Sequence, residues 1–313
     1  MTRARRRFAE IVTLTVVSSS IIALLLYTSE VTQASRSGLT MCISVVIPTL
    51  FPFMVFTSLF IKTGGADYIG DAVSPILGRL FKVSRQGVSA FVLGLLGGYP
   101  MGARVIAELF DEGCINKNEA EHLLGFCSNS GPAFIFGACG AGVFNSVRVG
   151  VLLFVSHVVS AIFVGIIFRR SSPCGDSVSV KNIHVYKPLT FALTESVRDA
   201  VQGIINICGF VIIFQVLSAV IRSSGLILTG DLGTLTEGFL ELTAGIYRLN
   251  VSNYITAMTI ASFLIGWGGL CVHCQALSYT VPRGLRAHKY FIGKLLHGIV
   301  SAGVTYIAVS LFG

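Results

Sequence analysis

Two stretches place hydrogen-bonding groups inside sequence otherwise apolar enough to cross a bilayer. One is Cys127-Ser-Asn-Ser-Gly-Pro-Ala-Phe-Ile-Phe136, the other Gly266-Trp-Gly-Gly-Leu-Cys-Val-His-Cys-Gln-Ala276. An unpaired polar group in lipid costs several kcal/mol, so such breaks survive only where protein buries them or where they line a wet cavity. In the first, Ser128, Asn129, Ser130 and the freed amides near Gly131 are candidates to hold a solute. A helix restarting at Pro132 would aim its positive end at the break, which favours a carboxylate or phosphate. In the second, Trp267, Gly268, His273 and Gln275 could stack on and hydrogen-bond a planar ring.

A third break, Gly94-Leu-Leu-Gly-Gly-Tyr-Pro-Met-Gly-Ala103, concentrates glycine around Pro100. Proline removes a donor and glycine loosens the backbone, so Gly98, Tyr99 and Pro100 join the candidate solute site. The competing reading is a tightly packed helix pair, since small residues let backbones approach. Two acids are candidate coupling groups for a proton or cation: Glu108, which could instead pair with Arg104 at i, i+4, and Glu241, inside an apolar window. His157 and His297 could carry protons or simply bond backbone carbonyls. Cys271, His273 and Cys274 fall short of the four ligands of a structural zinc site, so no metal is expected. No nucleophile-base-acid set or phosphate loop occurs, so neither an enzyme nor a cofactor is expected.

The elements carrying these residues must be membrane helices. Among 313 residues only 12% are charged and 53% are hydrophobic, far from the roughly one quarter charged of soluble domains. Apolar windows at 11–27, 39–61, 87–110, 119–144, 149–168, 200–221, 236–247, 254–281 and 290–312 give an all-α, polytopic transmembrane protein of the bacterial cell membrane. Arg3, Arg5, Arg6 and Arg7 before the first window also resemble a secretory signal with cleavage near Ala34, but the window is long for one. The cysteines lie mainly in apolar runs and read as packing residues. Basic charge reads as topology rather than as a nucleic-acid surface. Residues 64–85 read as an interfacial helix.

The two halves repeat an order: span, turn, broken region, His-bearing span. Residues 47–65 align with 207–225, matching Ser58 with Ser218, Lys62 with Arg222 and Gly65 with Gly225, and His157 stands opposite His297. With the N-terminus, 62–85, the central link and Pro282 to Lys294 on one side, every Lys and Arg lies there except Arg36, Arg104, Lys117, Arg148, Arg222 and Arg248. The counterpart spans then run in opposite directions, so the repeat is inverted. Parity requires one apolar window of each broken region to be a re-entrant hairpin. The expected division is 1–38, an N-terminal span and link; 39–168, the first repeat; 169–198, a cytoplasmic link; and 199–313, the second repeat.

Ile47-Pro-Thr-Leu-Phe-Pro-Phe53, Gly98-Tyr-Pro-Met-Gly-Ala103, Phe126-Cys-Ser-Asn-Ser-Gly-Pro132, Glu241-Leu-Thr-Ala-Gly245 and Gly266 to Gln275 together resemble the nucleoside-recognition (Gate) membrane proteins, and among them the sporulation integral membrane protein YlbJ family. The resemblance runs from about residue 40 to the end. It implies paired re-entrant hairpins and broken helices around a midplane site, as in concentrative nucleoside transporters. It also implies a place in the outer forespore membrane and movement of dipicolinate, a planar dicarboxylate. The chain departs from that family's pattern at Ser128 and Cys274. The expected partners are a small solute, the lipid bilayer and a coupling proton or cation, with a homo-oligomer left open. The alternatives are transport of a nucleoside or other small solute, and a non-transporting scaffold for spore assembly.

Overall fold

The computed structural model describes residues 3–169, 188–225 and 229–312. All regular structure among them is helical, and five helical segments are long and apolar enough to cross a membrane: Thr28–Lys62, Val147–Phe168, Leu189–Ser223, Tyr254–Arg283 and His288–Leu311. The protein is an all-α, multi-pass integral membrane protein.

Helices α1 (Arg3–Leu26) and α2 (Thr28–Met41) lead through a wide π-type turn, Cys42–Val46, into α3 (Ile47–Lys62). The expected 39–61 span is therefore the end of a longer rod. It lies antiparallel against α9 (Leu189–Ser223): a Cβ on Gly38 would touch Ile212, Cys42 Sγ lies 3.8 Å from the Cys208 carbonyl, and Lys62 pairs with Glu195 and Asp199. Both rods end on a left-handed glycine, Gly64 (φ 83°) and Gly225 (φ 78°), so the structural counterpart of Gly225 is Gly64, one residue before the match from sequence.

Part of the expected 169–198 link is helix. Residues 189–198 are already helix, so the boundary at 199 falls inside α9; 170–187 lie outside the described residues. Glu195, within the expected link, and Asp199, just past it, pair with Lys62 on the neighbouring rod.

After α3 comes the amphipathic α4 (Gly65–Phe81), followed by a hairpin of α5 (Arg85–Gly97) and α6 (Met101–Asp111). A broken helix follows, with α7 (Lys117–Leu123) on one side of the first polar break and a wide helix, Ala133–Val143, on the other; α8 (Val147–Phe168) then crosses the bundle. After α9 the same order recurs: a hairpin of α10 (Gly230–Leu240) and α11 (Leu242–Tyr247), a helix broken between α12 (Tyr254–Trp267) and α13 (Gly269–Thr280), and α14 (His288–Phe312). Short polar side chains cap the starts: Ser84 accepts from the Gly87 amide, Asn116 from Glu119, Ser146 from Val149 and Asn253 from Thr256, each satisfying an amide that the helix leaves free. Phe81, Phe91 and Phe126, with ring centroids 5.0 to 5.9 Å apart, pack α4 and the first hairpin against the first break.

Candidate functional site

The first hairpin turns at Gly98, whose φ of +73° suits glycine alone, and Pro100 starts α6. A Cβ on Gly98 would come within 2.8 Å of the Gly131 nitrogen, and Cβ atoms on Gly94 and Gly102 would stand 2.0 and 2.1 Å from the Cys127 carbonyl oxygen. The glycines thus serve both readings of the sequence: the chain turns there, and bare backbone packs on the first break. Tyr99 reaches the other half, its hydroxyl 3.1 Å from the Ile265 carbonyl and 3.4 Å from that of Gly266. Gly268 (φ +90°) closes on the Tyr99 ring.

In the first break, the Ser130 amide donates to His157 Nε2 at 3.1 Å, and Asn129 Nδ2 donates to the Phe126 carbonyl at 2.9 Å. Asn129 Oδ1 is buried with no partner among the described residues. At the tip of the second hairpin, Glu241 caps α11: one carboxylate oxygen accepts from the Thr243 amide at 3.0 Å, the other from Ala244 at 2.7 Å. An Ncap residue satisfies helix amides in this way.

Both hairpin tips and both breaks meet at one cavity of about 50 Å³. Its polar lining comes from Tyr99, Ser130 and Gly131 of the first half and from Glu241, Thr243 and Gln275 of the second; Val46, Leu50, Ile207 and Val211 of the two rods close it. That volume holds a few waters and is well below the roughly 300 Å³ of a ligand pocket.

Several expected site residues stand off the cavity wall. Trp267 stacks on Phe239 at 4.4 Å and donates its ring N–H to the Phe239 carbonyl at 3.1 Å. His273 Nδ1 lies 2.9 Å from the Tyr290 hydroxyl. Both belong to an aromatic cluster behind the second break. Asn129 and Ser128 are fully buried behind the first. Glu108 pairs with Arg104 at 2.8 Å and lines a separate polar vestibule of about 350 Å³ with Asp199, Gln202, Asn206 and Arg283.

Lys294 corrects the expected topology. Placed by sequence in the cytoplasmic loop, it is in fact 0% exposed and lies on α14, donating to the Ser128 carbonyl at 2.8 Å and to the Tyr99 hydroxyl. The spacing Lys294-Leu-Leu-His297 carried the signal, because it sets the lysine on the same helix face as an intramembrane histidine.

Comparison with known proteins agrees with this arrangement. Residues 43–178 match the family model described as Gate, nucleoside recognition. This stretch is similar to the Gate domain. It runs from the π-type turn before α3 past the end of α8, and so holds the first hairpin, the first break and His157; the second hairpin and break lie beyond the matched residues. The chain is also 29% identical over 309 residues to the sporulation integral membrane protein YlbJ of Bacillus subtilis (strain 168), covering 86% of this chain and 75% of that protein. In fold it is similar to a variant of CNTnw solved in the intermediate 3 state, with a TM-score of 0.54 and 10% identity over 98% of this chain and 86% of the other.

Proposed function

We propose that this Gate-domain protein is a secondary transporter, not an enzyme, that moves a small planar polar solute by alternating access between two inverted halves. The observation that carries the reading is the convergence of two hairpin tips and two helix breaks on one cavity. Broken helices around a central site are the arrangement by which membrane carriers offer amides and carbonyls to a solute. Antiparallel packing of the α2–α3 rod on α9 and the recurrence of hairpin, broken helix and His-bearing helix support treating 39–168 and the α9–α14 half as inverted repeats.

The wall favours two solute classes. The amide at Gly131, ahead of the Ala133–Val143 helix, suits a carboxylate such as that of dipicolinate. Glu241 and Gln275 suit a solute with hydroxyl or amino donors, such as a nucleoside. Similarity to YlbJ, a sporulation integral membrane protein, supports a sporulation role, with the outer forespore membrane as its proposed place. Glu241 and Glu108 are the candidate coupling acids. A flux assay in proteoliposomes with dipicolinate, nucleosides and small dicarboxylates tests the reading. Uptake of one solute, saturable and competed by its analogues, is expected; folded protein that moves none would leave the scaffold reading in its place.

A further inference from the structure

We propose that Lys294 is a resident cation of the site. Its ammonium fills the position that a helix break offers to a positive ion, so the site needs no bound metal cation.

The donor capacity of its partners sets the charge on Lys294. Lys294 Nζ faces three groups: the Ser128 carbonyl at 2.8 Å, the Tyr99 hydroxyl, and His297 Nδ1 at 3.5 Å. A carbonyl can only accept. His297 Nε2 lies 3.0 Å from the His157 carbonyl, so that nitrogen carries the ring proton and Nδ1 is left to accept. Tyr99 directs its O–H at the Ile265 and Gly266 carbonyls, so its oxygen lone pair faces the lysine. Three acceptors thus converge on one nitrogen, and an ammonium has three protons and no lone pair. A neutral amine would turn its lone pair on one of them.

No carboxylate pairs with Lys294 among the described residues, so oxygen and imidazole dipoles solvate its charge, as they would that of an inorganic cation. The partners belong to three separate pieces: Tyr99 to the first hairpin, Ser128 to the first break, and His297 to α14. Through Tyr99 the ammonium also reaches the second break. One fixed charge therefore ties together the parts that must separate during solute passage, and this last consequence rests on the transport reading.

Melting of the purified full-length protein in detergent tests the proposal without any solute. Wild type should melt at the same temperature in sodium chloride and in choline chloride at equal ionic strength. Lys294→Ala should melt several degrees lower in both salts and recover saturably with ethylammonium but not with choline. Lys294→Met, whose stem fills the space, should melt lower with no recovery. Saturable stabilisation of wild type by sodium over choline would overturn the proposal, as would a Lys294→Met variant as stable as wild type. If Lys294→Ala fails to fold, the wild-type salts and the Met variant still decide. In proteoliposomes that carry a solute, replacing sodium by choline should change flux less than twofold. If no solute is carried but the melting results hold, the transport reading falls and the resident cation stands.

Discussion

His157 and His297 stack with ring centroids 4.3 Å apart, and His297 Nε2 lies 3.0 Å from the carbonyl of His157. The pair joins α8 to α14, counterpart helices of the two halves. On one side His157 accepts the Ser130 amide of the first break; on the other His297 faces Lys294. The histidines thus link the backbone of the first break to a buried lysine. Replacing His157 by Leu strands the Ser130 amide, which costs about 1–3 kcal/mol for a buried unsatisfied donor. A melt should show this loss, and any measured flux should fall with it.

Backbone contact between the first hairpin and the first break makes Gly102 intolerant of a side chain. A Cβ there would stand 2.1 Å from the Cys127 carbonyl oxygen, whereas one on Gly209 would meet nothing within 4 Å. Gly102→Ala should destabilise by about 2–3 kcal/mol through overpacking, and Gly209→Ala should be neutral or stabilising by up to about 1 kcal/mol. Melting temperatures of the two variants, compared side by side, check this.

Both oxygens of Glu241 are committed to the cap of α11. Glu241→Gln keeps one acceptor and should lose about 1 kcal/mol, and Glu241→Ala should lose more. If the cap is its whole task, flux in Glu241→Gln drops while its pH profile keeps its shape. A flattened profile would assign Glu241 the coupling role.

Asp199 is shared by Lys62 at 2.8 Å and Arg104 at 3.3 Å, at the mouth of the polar vestibule. Asp199→Asn removes the carboxylate shared by Lys62 of α3 and Arg104 of α6, leaving them only Glu195 and Glu108, and should cost about 1 kcal/mol at low salt. The deficit should shrink in molar salt, where the Debye length falls to about 3 Å. Melting wild type and variant at both salt concentrations checks it.

Much of the site was legible in sequence because polarity inside an apolar run has few explanations. The breaks at Ser128–Gly131 and Gly268 stand where expected, and topological parity already required the two hairpins. Lys294 was hidden because a lysine at the start of an apolar window normally marks a loop or reaches for water; only its distant partners Tyr99 and Ser128 hold it inside. Trp267 and His273 stand off the cavity wall for the converse reason. Their types suit a planar ligand, but Phe239, remote in pattern, stacks on Trp267, and Tyr290 meets Nδ1 of His273, whose buried Nε2 has no partner among the described residues. The start of α9 was obscured because 169–198, with Ser, Pro, Gly and basic residues, reads as a polar loop, whereas its last part is helix that pairs Glu195 with Lys62.

The central claim is that the wall shared by both hairpins and both breaks is where solute binds. Its most direct test is counterflow in proteoliposomes for wild type, Gln275→Ala and a control, Leu232→Ala, on the exposed side of α10. The account predicts solute exchange in wild type and in the control, and at least a tenfold loss in Gln275→Ala with its melting temperature retained. Equal exchange in all three proteins would contradict it.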